Sequence, residues 1–254
     1  MEFIQGTRSE EDIAFVGVGE YITAYIADES GVIHTPEEID DYLWAYYKYL
    51  IVDGESLNDL ALLDKVLDRC KTGEVSLIIV NNAHPEVIKA LRPKFSYALP
   101  IDGEDSLEKI RSLKEILLHI HTDARMLELD DAELRQLFDG ERSISRHSLT
   151  YSEWPSGEMV KEDVTRLIPG KHAAGTLVCV FVPEEATREN NIHVLYELVE
   201  QLLEVLPDTA HRAVLWNVYC HTGLNEGEIR VEIIRARQKT GTMETLRAQN
   251  ELLN

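Results

Sequence analysis

The sequence contains little cysteine, little proline and no long hydrophobic run. Only 8 of its 254 residues are proline while 44% are hydrophobic, and this combination excludes a mainly disordered chain. Cys70, Cys179 and Cys220 are widely spaced and form no C-x-x-C pair, so we expect buried free thiols in a reducing compartment. No stretch approaches the ~18 apolar residues of a membrane span, and the acidic N-terminus does not resemble a signal peptide. We therefore expect a cytoplasmic protein.

Positive charge is also scarce. The chain has 25 lysine and arginine residues against 46 aspartate and glutamate residues, which gives a formal net charge of −21 at pH 7. Such a surface repels phosphate backbones and anionic lipids. The composition therefore argues against nucleic acid and membranes as partners, although a solvated acidic surface has no function by itself.

Hydrophobic runs bounded by glycine and aspartate predict an α/β protein. Residues 13–18, 49–52 and 75–80 are predicted strands, and a helical stripe separates the last two, which favours a parallel sheet covered by helices. Residues 139–172 show no sustained periodicity and are interpreted as a mobile or inserted region. Elsewhere the same criteria predict a strand near 95–101, a long helix over 104–121, a strand over 176–182, a helix over 190–206, and strands over 213–219 and 229–234.

The glycine motifs of nucleotide-binding proteins are incomplete. Gly17-Val-Gly19 follows a predicted strand, but the dinucleotide fingerprint G-x-G-x-x-G requires a third glycine where this chain has Ile22. No G-x-x-x-x-G-K-[ST] and no G-x-S-x-G sequence is present. The motifs therefore identify no self-contained active site.

Two histidines near the end of the long predicted helix are candidate metal ligands. His119 and His121 lie close to Asp123, but positions i and i+2 of a helix face different directions and chelate poorly. Histidine is also electrostatically favourable at a helix C-terminus. We therefore interpret these residues as structural, and we predict no metal site.

An acidic segment follows this helix at Leu127–Phe138. Its four carboxylates, Glu128, Asp130, Asp131 and Glu133, lie within six positions. Taken alone, the pattern is typical of a helix start with Asp130 as N-cap and Glu133 at the third helical position. The start of a helix therefore explains the four carboxylates. The order of the surrounding elements suggests a second interpretation of the segment.

Together these features resemble the FtsZ branch of the tubulin superfamily. The acidic segment is similar to the family loop N-x-D-x-x-D, with Glu128, Asp130 and Glu133 at the Asn and the two acidic positions. Ile13–Gly19 resembles the first family strand, and Arg230–Ile234 resembles the family sequence R-V-T-V-V. The resemblance implies a reduced parallel-sheet N-terminal domain with the central helix (1–121), a smaller α/β C-terminal domain (122–238) and a tail (239–254).

The glycine-rich phosphate loop of that family is missing. The family sequence G-G-G-T-G-[TS]-G corresponds here to Asp53-Gly-Glu-Ser-Leu-Asn-Asp59, in which side chains and carboxylates replace the glycines that surround phosphate. We therefore expect no cofactor. The alternative is a divergent GTPase that binds GTP or GDP with magnesium, with Asn58, Asn81 or Asn82 as polar contacts. Vestigial phosphate-loop positions would be Gly17, Gly19, Gly54, Ser56 and Asn58.

The resemblance leads to a functional hypothesis of assembly without catalysis. In family filaments the acidic loop of one subunit reaches the nucleotide of the next, so this chain is expected to contact either a second copy of itself or an FtsZ-type filament subunit through the acidic segment. The expected role is assembly or regulation of a cytoskeletal or cell-division system. A third hypothesis is a small-molecule site between the domains that uses Asn81, Asn82, His84 and residues 139–172.

Overall fold

Two five-stranded β-sheets, one parallel and one mixed, form the framework of the protein. The computed structural model describes residues 3–5, 13–18, 32–34, 46–54, 61, 77–82, 84–91, 98–129, 131–138, 142–168, 173–187, 191–206 and 213–238. The strands are β1 (Ile13–Val18), β2 (Val32–His34), β3 (Tyr46–Asp53), β4 (Leu77–Asn81), β5 (Ala98–Ile101), β6 (Ala124–Arg125), β7 (Arg142–Tyr151), β8 (Gly175–Val182), β9 (Ala213–Cys220) and β10 (Ile229–Gln238). The helices are α1 (Pro85–Leu91), α2 (Ser106–Thr122), α3 (Asp131–Phe138), α4 (Gly157–Leu167) and α5 (Ile192–Val205), with a 3₁₀ helix at Glu184–Thr187.

The first sheet has the order β2-β1-β3-β4-β5, and all of its strand pairs are parallel. Every residue of β4 and β5 is buried, as expected of strands covered on both faces. These aliphatic runs are the ones that the sequence marked as strands. The prediction of an α/β fold with a parallel sheet is confirmed.

The second sheet has the order β6-β9-β8-β10-β7 and mixes parallel with antiparallel pairs. Strands β8 and β9 run parallel through eight aligned pairs, from Gly175 opposite Ala213 to Val182 opposite Cys220. Strand β10 is antiparallel to both β8 and β7. This register brings the carboxyl ends of β8 and β9 to the same edge of the sheet.

Helix α2 belongs to one hydrophobic core with residues of both sheets. Its apolar residues recur every three or four positions and are buried. The same core contains Tyr49 and Ile79 of the first sheet and Phe181 and Tyr219 of the second. The other face of the second sheet is covered by α4 and α5, which form a separate apolar cluster with β8 and β10.

Residues 142–168, the described part of the predicted mobile or inserted region 139–172, form a strand and a helix, contrary to the sequence prediction. Strand β7 pairs with β10 over ten positions, and α4 begins after Ser156, whose hydroxyl accepts a hydrogen bond from the N–H of Met159 at 3.3 Å. The edge strand β7 is held by polar cross-strand contacts as well as apolar ones, because both Arg146 and Ser148 bind the buried Glu232. Periodicity of apolar residues therefore could not reveal β7.

Two further expectations concern membranes and cysteines. Within the described part of the chain, no helix is both long and apolar enough to span a bilayer. Cys179 is a buried free thiol and Cys220 is a partly buried one. Cys70 and the helix expected around it lie outside the described residues, apart from Ala61, which is helical.

Candidate functional site

A buried asparagine anchors the start of the acidic segment. The side-chain oxygen of Asn217 on β9 accepts the N–H of Leu127 at 2.9 Å, and its side-chain nitrogen donates to the carbonyl of Leu127 at 2.6 Å. The N–H of Val218 donates to the same side-chain oxygen at 2.9 Å. Asn217 is fully buried, so these bonds replace water for both backbone groups of Leu127. No motif in the sequence marks Asn217 as part of this site.

The acidic residues themselves point in part to solvent. Glu128 and Glu133 are exposed, and α3 begins at Asp131. Asp130 lies outside the described residues. The leucines next to these carboxylates face the interior of the protein. Leu134 is buried, and Leu129 packs against the same core as α2. The segment thus combines an anchored apolar side with at least two carboxylates at the surface.

Gly17 and Gly54, two of the positions that the resemblance assigns to a vestigial phosphate loop, lie at the carboxyl edge of the first sheet. Gly17 in β1 is aligned with Ile51 of β3, and Gly54 follows β3 directly, so the two glycine-bearing strand ends are neighbours. The N–H of Gly54 donates to the carbonyl of Asn81 at 2.9 Å, and the carbonyl of Gly54 accepts the N–H of His84 at 2.7 Å. Both backbone groups of Gly54 are therefore engaged within the protein. Gly19, Ser56 and Asn58 lie outside the described residues.

Asn81 and Asn82 continue this edge. Asn81 is 1% exposed; its side-chain nitrogen donates to Asp53 at 3.1 Å, while its side-chain oxygen has no hydrogen-bond partner among the described residues. Asn82 has a φ of 44°, and its side-chain oxygen accepts the N–H of Gly103 at 3.2 Å. A cavity of about 310 Å³ lies elsewhere, lined by residues of α2, β7 and β10, and Asn81, Asn82 and His84 do not line it.

The two histidines of α2 face different directions, as the sequence predicted. His121 is buried, and its Nε2 lies 2.6 Å from the hydroxyl oxygen of Tyr49. His119 instead lies beside Asp123, with 3.3 Å between Nδ1 and Oδ1. The second oxygen of Asp123 is 3.0 Å from Nδ1 of His221, which follows β9.

These contacts determine the ionisation of the carboxyl group. Burial raises the pKa of Asp123, but the hydrogen bonds from His119 and His221 outweigh burial, so the pKa lies below its usual value. No sequence signal connects His221 with residues 98 positions away. The sequence interpretation of His119 and Asp123 as an isolated helix end is therefore incomplete.

Known proteins resemble this chain in structure only. No protein-family model and no curated protein matches the sequence. CetZ from Methanosaeta thermophila matches 94% of this chain and 90% of its own length with 9% identity and a TM-score of 0.53. The empty FtsZ dimer of M. jannaschii matches 85% of this chain with 15% identity and a TM-score of 0.40, and this chain spans 66% of its length. GDP-bound CetZ1 from Haloferax volcanii covers 88% of this chain and 93% of its own length, with 10% identity and a TM-score of 0.41.

The Methanosaeta CetZ comparison supports the fold that the sequence resemblance implied. Nearly the whole of both chains is aligned. The parallel sheet, the central helix α2 and the mixed second sheet follow one another along this chain in the expected order. The protein therefore has an FtsZ/tubulin-like fold.

Proposed function

We propose that this protein is a non-catalytic FtsZ-like assembly protein of a cytoskeletal or cell-division system. It contacts a neighbouring protein subunit, either a second copy or an FtsZ-type filament subunit, through the acidic segment Leu127–Phe138. Neither nucleotide hydrolysis nor a bound cofactor is part of this proposal. Fold alone does not specify function, and two local features support the proposal: the acidic segment and the carboxyl edge of the first sheet.

The anchored acidic segment carries the proposal. Asn217 fixes both backbone groups of Leu127 from inside the second sheet, while Glu128 and Glu133 remain at the surface. A segment held in one conformation before binding loses little entropy when a partner docks. Exposed carboxylates on such a segment favour a partner with basic groups or a bridging cation.

The carboxyl edge of the first sheet, where Gly54 lies, supports a non-catalytic role. A phosphate cradle needs free backbone N–H groups that converge on the ligand. The N–H of Gly54 is instead bound to Asn81 at 2.9 Å, and the sequence places Glu55 and Asp59 after it. Carboxylates near phosphate repel it unless a cation intervenes.

Assembly can be tested with the full chain by sedimentation velocity over a range of protein concentrations, alone and with a purified FtsZ. The test variant is Glu128→Gln with Glu133→Gln, because both residues are exposed and glutamine keeps their size. The matched control is Glu158→Gln with Glu162→Gln, which removes two exposed carboxylates from α4. We expect the test variant to associate at least ~10-fold more weakly, and the control to behave like the wild type.

A wild type that forms no complex with itself or with FtsZ would contradict the assembly role. Equal weakening in the test and control variants would assign the effect to net charge instead of the acidic segment. Association that appears only with GTP and magnesium would favour the alternative function.

That alternative is a divergent GTP-binding protein, and one observation favours it. Within the part of the chain that the structure describes, the buried side-chain oxygen of Asn81 has no hydrogen-bond partner, and it lies at the carboxyl edge of a parallel sheet, where ligands of open α/β folds bind. Thermal unfolding with GTP or GDP plus magnesium tests it, because a ligand of the folded state raises the Tm. We expect no dose-dependent rise, whereas a rise of several degrees would establish nucleotide binding.

A further inference from the structure

Three metal-ligating side chains converge where α2 and β9 end. They are His119 in the last turn of α2, Asp123 directly after it and His221 directly after β9. One ligand atom from each residue can be chosen so that all three lie within 4.8 Å of one another. The side chains are 12%, 14% and 18% exposed, so the cluster is largely buried but reachable from solvent.

The backbone holds the first two of these residues in place. His119 and Asp123 are four positions apart and therefore share one face of the helix end. The N–H of Asp123 donates to the carbonyl of His119 at 3.0 Å. Thr122 donates its hydroxyl to the carbonyl of Leu118, and that hydroxyl lies 3.3 Å from the carboxylate of Asp123.

His221 is fixed independently by the second sheet. Its N–H donates to the carbonyl of Val182 at 2.8 Å, which ties it to the end of the neighbouring strand β8. A side-chain carbon at Gly223 would approach Nε2 of His221 to 3.0 Å, so the glycine makes room for the ring. The pairing of Ala124 with Cys220 joins the two segments on either side of the cluster.

We propose that His119, Asp123 and His221 form a binding site for a divalent transition metal of the zinc class. Two imidazoles and one carboxylate are a common ligand set for zinc, with a fourth position left for water or an outside ligand. With ligand bonds of about 2.0–2.1 Å, tetrahedral geometry separates ligand atoms by about 3.3 Å. Nδ1 of His119 lies 3.3 Å from Oδ1 of Asp123 and Nδ1 of His221 lies 3.0 Å from Oδ2, while one ligand atom from each residue falls within a 4.8 Å spread, so a bound ion would draw the three ligands slightly closer together.

The apolar wall beside the site is suited to this role. Phe181 contacts both histidine rings edge-on, with ring centroids 5.7 Å from His119 and 5.9 Å from His221. Such a wall limits the rotation of the imidazoles and lowers the local dielectric, which strengthens ligand bonds. The ion would connect the end of the central helix α2 to the end of β9. The acidic segment begins a few residues after this end of α2.

Zinc binding is tested on the metal-free full chain by calorimetry with Zn²⁺ alone. We expect one ion per chain and a higher Tm. Removal of a ligand by Asp123→Asn or His221→Gln is expected to weaken binding at least ~100-fold. The matched control, His193→Gln, removes an exposed histidine of α5, and Cys220→Ser removes the nearest thiol in sequence; both should bind like the wild type.

Cobalt gives a spectroscopic readout that a hydrogen-bonded His–Asp–His cluster without metal would not produce. Co²⁺ in the wild type should show the intense visible bands of four-coordinate cobalt, and His221→Cys should add a thiolate-to-cobalt charge-transfer band that the wild type lacks. Circular dichroism of each variant without metal checks that the fold is retained. Absence of stoichiometric binding in the wild type, or unchanged binding in both ligand variants, would overturn the proposal.

Discussion

The two sheets differ in how they use buried polar groups. Among the residues described for the first sheet, Asn81 is the only buried amide or charged side chain, and its oxygen is unpaired. Among its described residues the second sheet buries four such side chains, Arg125, Asn217, Glu232 and Arg235; Asn217 and Glu232 are hydrogen-bonded by several partners, whereas Nε and Nη1 of Arg125 make no hydrogen bond there. Because such groups require specific partners, the second sheet specifies its geometry more closely than the first.

The two sheets also differ in the surfaces that they position. The first sheet has the apolar framework of an FtsZ/tubulin-like fold, and at its carboxyl edge the N–H of Gly54 is bonded to the carbonyl of Asn81. The second sheet positions both the acidic segment and the proposed metal site. This difference is what we expect of a protein that uses its fold to dock rather than to hydrolyse nucleotide.

The largest predicted effect concerns the buried carboxylate of the second sheet. Arg146 binds both oxygens of Glu232, at 2.8 and 2.9 Å, and Glu232 is 1% exposed. Arg146→Met leaves this charge without its main partner and is expected to lower the free energy of unfolding by about 3 kcal/mol. Urea denaturation measures it. The control Arg166→Met removes an exposed ion pair with Asp163 and should cost less than ~1 kcal/mol, so equal losses would contradict the comparison.

The next effect concerns the anchor of the acidic segment. Asn217→Leu keeps the size of the side chain but leaves the N–H and the carbonyl of Leu127 without partners. We expect a loss of about 2–3 kcal/mol in the free energy of unfolding, together with weaker subunit association under conditions where the variant remains folded. Unfolding and sedimentation measure the two effects separately. Full stability with normal association would show that Asn217 is not the anchor.

The smallest effect is predicted for the same substitution in the first sheet. Asn81→Leu removes a group with one unpaired atom and a single 3.1 Å bond to Asp53. The free energy of unfolding should change by less than about 1 kcal/mol, since little hydrogen bonding is lost and apolar burial is gained. A loss as large as that of Asn217→Leu would remove the distinction between the sheets.

Much of the fold could be predicted from the sequence because its central elements are apolar runs with sharp ends. The strand predicted at 176–182 is β8 (175–182), and the helix predicted at 104–121 is α2 (106–122). Both elements pack in the core, and the residues that face the core form a clear hydrophobic pattern in the sequence. The resemblance then implied the order of parallel sheet, central helix and C-terminal α/β elements, but it did not include β7 or α4.

The remaining features depend on contacts between distant residues. Strand β7 has few apolar side chains and is stabilised across the sheet by pairs such as Arg146 with Glu232, 86 positions apart. Helix α4 did leave a signal, since Ser156 precedes Val160 and Val164 at capping and helical spacing. Asn217 and His221 left none, because their partners lie 90 and 98 positions away.

The shared core around α2 has a consequence for unfolding. Apolar residues of both sheets pack into one cluster with this helix. The half of the protein that carries the first sheet therefore cannot separate from the half that carries the second sheet without exposing this shared buried surface. The two halves should therefore melt in a single cooperative transition, and neither should fold when expressed alone. Stability gained by an ion at the end of α2 would then protect the whole cluster, including the strands of the first sheet.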